Sequence, residues 1–284
     1  MSIVAEKISA DLLYDMIELF DAQPWVKHQH EEIAALWNIC ETREQQELLK
    51  LLIKKFVIFD AAKERDACAA IEGKFQQWGL VPQSTWVVAL ANAREPDGSQ
   101  VVLQRLKNKI EPIDKWHSRF ISNIPNAVEK ISKNQSVVLL DDFIGSGQKF
   151  IKHMNWLKRL LTDEIAESTK FYCVSYSGMQ FGIDSLSATT GCEIFSFLPM
   201  KKAISEEFDS DTSEKYRQIM IAIESKLAPK YKNKSLTDFT LGFNSSESLY
   251  CAESDNCPNN VFPVFWWAKL VDNVPFRTLL KRAG

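Results

Sequence analysis

Ser136-Val137-Val138-Leu139-Leu140-Asp141-Asp142-Phe143-Ile144-Gly145-Ser146-Gly147-Gln148 joins four consecutive apolar residues to two adjacent carboxylates, an apolar pair and a Gly-Ser-Gly turn. An unbroken apolar run of this length reads as a buried strand of a parallel sheet. The turn opens a helix that carries Phe150, Met154, Leu157 and Leu161 on one face. Glycines permit close backbone approach, and the N–H groups at a helix start suit an anion such as phosphate. Aspartates are costly to bury without partners. Two of them at the end of an apolar strand therefore call for a ligand, a metal or solvent, and open parallel sheets bind ligands at the carboxyl ends of their strands. A plain strand-to-helix turn uses one Asp as an N-cap; a pair followed by Gly-Ser-Gly points to chemistry.

Working outward, Trp86–Ala91 reads as an earlier buried strand, followed by a turn-rich loop from Asn92 to Gln100 that contains Pro96-Asp97-Gly98-Ser99. A helix is expected from Ser99 to Ile110. The polar stretch Glu111–Ser132, broken by Pro112 and Pro125, has no clean periodicity. Downstream, Lys170–Tyr176 and Cys192–Leu198 read as further strands, Ser213–Leu227 as a helix, and Ser248–Ala252 as a late strand. This rhythm predicts an α/β fold with a central, mainly parallel sheet. Residues 1–80 read as helices: a stripe of Ile8, Leu12, Met16, Leu19 and Phe20, widened by Leu13 and Ile17; a short helix over His30–Cys40; a third with Thr42 and Gln45 at capping-box spacing; and a fourth over Glu64–Trp78. The expected organisation is a helical extension at 1–80 and an α/β domain at 81–284. The apolar faces of the extension would pack on the core or on a protein partner.

Composition narrows the class. The chain has 284 residues, 45% hydrophobic and 25% charged, which is ordinary for a globular protein. A net charge of −3 creates no global field for nucleic acid, so a nucleic acid acceptor is unsupported by charge. No apolar run is long enough to span a bilayer, and the first residues lack a basic start and an apolar signal core. A cytoplasmic protein is expected, and its six cysteines read as reduced, packed thiols. Cys251 and Cys257 lack the partner pair or histidine that would complete a zinc site. Lys226, Lys230, Lys232 and Lys234 surround Tyr231 in a basic segment that reads as a solvated turn or as a contact for a phosphate-rich partner.

The strand, acid pair and Gly-Ser-Gly turn resemble the phosphoribosyl-pyrophosphate (PRPP) signature of the type I phosphoribosyltransferases. The resemblance implies that Asp141 and Asp142 hold the ribose hydroxyls, and that Gly145, Ser146, Gly147, Gln148 and Lys149 wrap the 5′-phosphate. It also implies Mg²⁺, reached from Asp141 and Asp142 indirectly, through ribose hydroxyls or water. Two positions depart from the pattern. Gln148 and Lys149 stand where the family usually has a second glycine and a hydroxyl residue, so Lys149 would bring a charge to the phosphate. Gly145 stands where the purine-salvage branch has an aspartate base, which disfavours hypoxanthine-like salvage. By chain order, Asn92–Gln100 takes the place of the pyrophosphate loop, with Arg94, Gly98 and Ser99 as its contacts, unless it is an ordinary surface turn. Glu111–Ser132 takes the place of the mobile flap, where Lys115, His117 and Arg119 would serve the leaving pyrophosphate.

The helical extension, the Leu-Leu-Asp-Asp-Phe-Ile-Gly-Ser-Gly-Gln form of the motif and the tail Cys257-Pro258-Asn259-Asn260-Val261-Phe262-Pro263-Val264-Phe265-Trp266 look most like the PRTase-CE group. These are phosphoribosyltransferase-like proteins associated with prokaryotic conflict and anti-phage systems. In a C-terminal hood, Asn259 and Asn260 would offer amides to an acceptor. Phe265, Trp266 and Trp267 would offer stacking surfaces or a buried aromatic cap. The expected activity is transfer or hydrolysis of the phosphoribosyl group of PRPP by a glycosyltransferase-like enzyme of bacterial defence. Two other functions fit the same residues: a catalytically inactive nucleotide-binding module that regulates a partner, and a scaffold assembled through the N-terminal helices.

Overall fold

Each strand of the central sheet is a short, largely apolar run, and all but the last in the chain are followed by a helix whose apolar face returns to the sheet. The computed structural model describes residues 9–92, 97–253 and 256–282. The chain divides into two units, Asp60–Lys201 and a second that combines the residues up to Phe59 with those from Lys202 onward. In chain order the main elements begin with helices α1 (Ala10–Ala22), α2 (His30–Asn38) and α3 (Arg43–Lys54), strand β1 (Val57–Phe59) and helix α4 (Ala61–Gln77). Then come β2 (Thr85–Ala89), α5 (Gly98–Leu106), α6 (Ile113–Trp116), β3 (Phe120–Ile121), α7 (Ile124–Val128), β4 (Ser136–Ile144) and α8 (Gln148–Leu160). The chain continues through α9 (Asp163–Ser168), β5 (Lys170–Met179), α10 (Gln180–Thr190), β6 (Glu193–Met200), α11 (Ser210–Glu224), β7 (Lys230–Tyr231), β8 (Lys234–Ser235) and β9 (Tyr250–Ala252).

In the unit Asp60–Lys201, five strands form one sheet in the order β3-β2-β4-β5-β6, and every pairing is parallel. The predicted parallel α/β sheet is present. Alternation along β4 sends Val137 and Leu139 to one face and Val138 and Leu140 to the other. Val137 and Leu139 join Val88, Cys173, Phe150, Met154, Leu157 and Leu186 in a core that brings α8 and α10 against the sheet. On the opposite face, α5 packs on β2 and β4, and α4 packs on β5 and β6. Trp78 stacks on Tyr172 with ring centres 4.8 Å apart.

Three sequence expectations shift. The fourth helix reads in the sequence as part of an N-terminal extension ending at residue 80, but α4 belongs to the sheet unit. Its Ala67, Cys68, Ile71 and Phe75 are buried, and its apolar face covers β5 and β6. The segment from Glu111 to Ser132 holds an edge strand: Phe120 and Ile121 pair with Val87 and Val88, and Trp116 and Ile124 are buried. Two strand residues are too few to show a period. The guanidinium of Arg119 lies over the Trp86 ring, 4.6 Å from its centre. Finally, Val57–Phe59 forms a strand that pairs in parallel with Tyr250–Ala252, where the sequence reads only as helix before residue 80.

The second unit is helical around an aromatic core. Leu48, Leu49, Leu52 and Ile53 of α3 pack with Phe262, Phe265, Trp266 and Trp267, so the tail aromatics are the buried cap rather than stacking surfaces. The Trp266 indole donates to the Val261 carbonyl at 2.9 Å. On α1 the buried face is Leu19 with Leu12, Met16 and Phe20 packed against the core, while Leu13, Tyr14 and Ile17 are 50%, 70% and 49% exposed; Ile8 lies outside the described residues. Asp15 takes the buried position beside that stripe. Against its burial, hydrogen bonds from Arg43, Lys50 and the Trp37 indole hold its carboxyl down at about 2. Among the described residues no helix is long and apolar enough to cross a membrane.

Glu224, at the end of α11, is buried; one carboxyl oxygen accepts the Leu241 N–H at 3.0 Å, and the other has no partner among the described residues. Burial, with a smaller push from Glu247 and against the Leu241 N–H, raises this carboxyl from 4.5 to about 8. A raised acid favours the folded state while it stays protonated and loses that advantage as the unfolded chain ionises. Wild-type stability should therefore decline between about pH 4.5 and pH 8 relative to Glu224→Gln. Denaturant midpoints of both proteins across that range check this, and parallel curves would show that Glu224 does not titrate in the window.

Candidate functional site

Period-two alternation places the consecutive acids at the end of β4 on opposite faces of the sheet. Asp141 points with Val137 and Leu139 toward the α8 layer. Asp142 points with Leu140 toward α5. Each acid is met by the element packed on its face. The Lys149 ammonium, one residue into α8, lies 2.9 Å from Asp141 Oδ1. On the α5 side, Gly98 comes so near Asp142 that an added Cβ would sit 2.5 Å from Asp142 Oδ2. Only glycine leaves that carboxylate its place.

The two faces are joined by Asp97. It caps α5 by accepting the Ser99 N–H at 2.9 Å within a capping box completed by Gln100. Its two carboxylate oxygens also accept from Lys149 at 2.9 and 3.1 Å. Lys149 thus ties the start of α8 to the start of α5 across the end of β4. An ammonium has three N–H donors, and three carboxylate oxygens surround this one. Although the lysine is 37% exposed, Asp141 is 1% exposed. Burial, against the pull of Lys149 and with the repulsion of Asp142 and Asp97, pushes the Asp141 carboxyl up. For Lys149 the order is reversed: burial opposes its charge, and Asp141, Asp97 and Asp142 outweigh that and raise it. Despite burial, the charge of Lys149 and hydrogen bonds from Ser99 and Lys149 hold Asp97 below the usual carboxylate range.

The turn Gly145-Ser146-Gly147 lies between the acids and α8. Gly147 is the N-cap in the left-handed region, φ 78°, and as a glycine it brings no side chain to cap this helix. The first helical bond runs from the Ile151 N–H to the Gly147 carbonyl at 3.1 Å. Consequently the N–H groups of Gln148, Lys149 and Phe150 head the helix with no intrahelical acceptor. His153 Nδ1–H donates to the Lys149 carbonyl at 2.8 Å, a bond that holds the first turn. The turn itself rests on α10: a Cβ on Gly182 would stand 1.9 Å from the Gly145 carbonyl oxygen, and one on Gly147 would stand 2.7 Å from the Gly182 carbonyl oxygen.

The fold brings Asp141, Asp142, Gly98, Ser99, Gly145, Ser146, Gly147, Gln148 and Lys149 to the end of β4 and the starts of α5 and α8. Ser99 is fully buried at the start of α5. Arg94 lies outside the described residues. Lys149 differs from expectation, because its ammonium goes to Asp97 and Asp141 rather than to the turn. Asn259 and Asn260 belong to the other unit. Asn260 is buried, donates its side-chain amide to Ser246 Oγ at 2.8 Å, and accepts the Ser248 N–H on its backbone carbonyl. That amide stabilises a turn instead of facing an acceptor. Sequence reading missed Asp97, whose capping-box spacing to Gln100 was the available signal, and it missed Gly182 and His153, for which no local pattern existed.

The expected Mg²⁺ does not fit Asp141. A carboxylate 1% exposed and bonded to an ammonium offers no water-mediated path to a metal. Among the described residues no group of three His, Cys, Asp or Glu side chains could hold an ion.

The unit that carries the site is thus a parallel α/β fold with an acid pair and a glycine-started helix at the end of its central strand. The PRTase-CE family model matches residues 32–282, and the chain belongs to that family. No curated protein matches it. Similar solved structures include a purine phosphoribosyltransferase from Pyrococcus horikoshii, with 12% identity, a TM-score of 0.30, and coverage of 51% of this chain and 86% of that one. Another is the protein TT1426 from Thermus thermophilus, with 11% identity, a TM-score of 0.31, and coverage of 54% and 88%.

The seat of the turn on α10 is testable by substitution. Gly182→Ala forces a methyl into the Gly145 carbonyl and should destabilise the protein by about 1–3 kcal/mol. Gly73→Ala in α4 has nothing within 4 Å of its new methyl and should be neutral or stabilising. Urea midpoints compare the two, and equal behaviour would remove the close approach as a constraint.

Proposed function

We propose that this protein binds PRPP, or a related phosphorylated ribose, at the end of β4, and that it is a phosphoribosyltransferase-like enzyme of prokaryotic defence. The observation that carries the reading is the α8 terminus. Its leading amides follow a left-handed glycine and stand next to an acid pair, in a chain matched by the family model over residues 32–282. The amides of Gln148, Lys149 and Phe150, with the Ser146 hydroxyl, would hold the 5′-phosphate, as helix starts hold anions. Asp142, half-buried and on the α5 side, would take the ribose hydroxyls. Its Oδ1 accepts the N–H of the next residue, Phe143, at 3.0 Å. Gly98 and the buried Ser99 hydroxyl, at the start of α5, would face the pyrophosphate end. In transfer, the bond from C1 of ribose to the pyrophosphate oxygen breaks while an acceptor bonds to C1. The site's contribution is to position the sugar and to exclude water while positive charge develops on the ring.

One observation favours binding without turnover, the role of a regulatory module. Gly145 stands where the purine-salvage branch has an aspartate base, so no general base is present at that position. Pyrophosphate release from PRPP, with bases, nucleotides, nucleic acid or water as acceptor, separates the readings. Ligand-dependent thermal stabilisation with no release supports the module.

The ribose assignment is tested by Asp142→Asn, which keeps shape but removes the charge that strengthens a hydroxyl hydrogen bond. Loss of such a bond costs about 1.5–3 kcal/mol, so affinity for ribose 5-phosphate should fall by at least about tenfold with the fold intact. Calorimetric titration measures it. Unchanged affinity in a well-folded variant would refute the assignment.

A further inference from the structure

The end of β4 gathers the carboxylates of Asp97, Asp141 and Asp142 beside the helix start assigned above to a phosphate. Three acids there would repel a phosphorylated ligand, and burying one of them without a partner would be costly. Phosphate chemistry commonly meets this difficulty with a divalent cation. Here a protein group already occupies the centre of the cluster. Lys149 Nζ lies 2.9 Å from Asp141 Oδ1 and 2.9 and 3.1 Å from the two oxygens of Asp97. Asp141, bonded to this ammonium, is 1% exposed and closed to a hydrated ion. Asp97 also caps α5, so its carboxylate is held in place by the Ser99 N–H independently of the lysine.

We propose that Lys149 is the resident counter-cation of this site, fixed by Asp97 and Asp141 in the role that a divalent metal would otherwise fill, so that a phosphorylated sugar binds here without metal. Asp97 is then a positioning residue acting through Lys149. The helix amides hold the phosphate, and the ammonium cancels the acids behind it. The ligand half of this proposal rests on the phosphoribosyl reading, whereas the refusal of a divalent cation by the acid cluster does not.

Two measurements on the full chain decide it. In the first, the protein is titrated with Mn²⁺ and paramagnetic broadening of its backbone amide resonances is followed. The amides of Asp97, Asp141, Asp142 and Lys149 should stay sharp, and their selective broadening would overturn the proposal. In the second, ribose 5-phosphate is titrated in EDTA and in Mg²⁺. The two dissociation constants should agree within about twofold, and strengthening by Mg²⁺ of about tenfold or more would overturn metal independence. Lys149→Arg should retain binding in EDTA, whereas Lys149→Met should weaken it at least about tenfold. Equal binding by a folded Lys149→Met protein would also overturn the proposal, and if that variant does not fold, the two wild-type measurements still decide. If ribose 5-phosphate binds in neither condition, the phosphoribosyl reading and the claim of metal-free binding both fall, and the Mn²⁺ titration alone decides whether Lys149 excludes the metal.

Discussion

The ammonium of Lys149 is the point at which the two layers flanking β4 meet. Alternation along a strand puts neighbouring side chains on opposite faces, so an Asp-Asp pair at a strand end divides between two environments. Asp141 falls on the α8 side and is buried; Asp142 falls on the α5 side and stays half-exposed. A buried carboxylate requires a partner, and Lys149 reaches it because α8 starts immediately after the turn. The same ammonium reaches Asp97, which caps the helix on the other face. The geometry of the whole site follows from one cation serving two helix starts.

That cation works only because backbone approaches backbone around it. Gly147 adopts a left-handed conformation to start α8, and Gly182 lets α10 press against the Gly145 carbonyl. Gly98 gives Asp142 its room. Three glycines from three elements therefore set the positions of two acids, one lysine and one helix terminus. Close packing leaves little freedom for any of these groups to be misplaced. The preorganisation is covalently local at 141–149 and tertiary at Gly98 and Gly182.

The other unit carries a different kind of constraint. Its core closes around Phe262, Phe265, Trp266 and Trp267, and these rings draw α3 and the C-terminal segment together although roughly two hundred residues separate them in the chain. Parallel pairing of Val57–Phe59 with Tyr250–Ala252 does the same for backbone hydrogen bonds. The tail identified in the sequence as a candidate hood is thus part of a core with the N-terminal helices. Asn260 contributes a turn contact to Ser246 within it.

The sequence by itself determined the local elements whose signals are contiguous. The apolar runs at 137–140, 171–174 and 194–198 declare a parallel sheet, and Asp-Asp followed by Gly-Ser-Gly marks a candidate ligand site, because each signal is complete within a dozen residues. The capping pairs Thr42–Gln45 and Asp97–Gln100 were equally available. Only the tertiary structure decided which acid would be buried, where the Lys149 ammonium would go, and that α4 would cover the sheet. It also decided that Phe120–Ile121 would pair at the edge, and that Leu13, Tyr14 and Ile17 would face outward. Those outcomes depend on which distant element meets a residue, as Gly182 meets Gly145 or Asp97 meets Lys149. A period or a motif specifies a residue's own conformation and facing, and the partner that arrives from elsewhere in the chain is settled by packing.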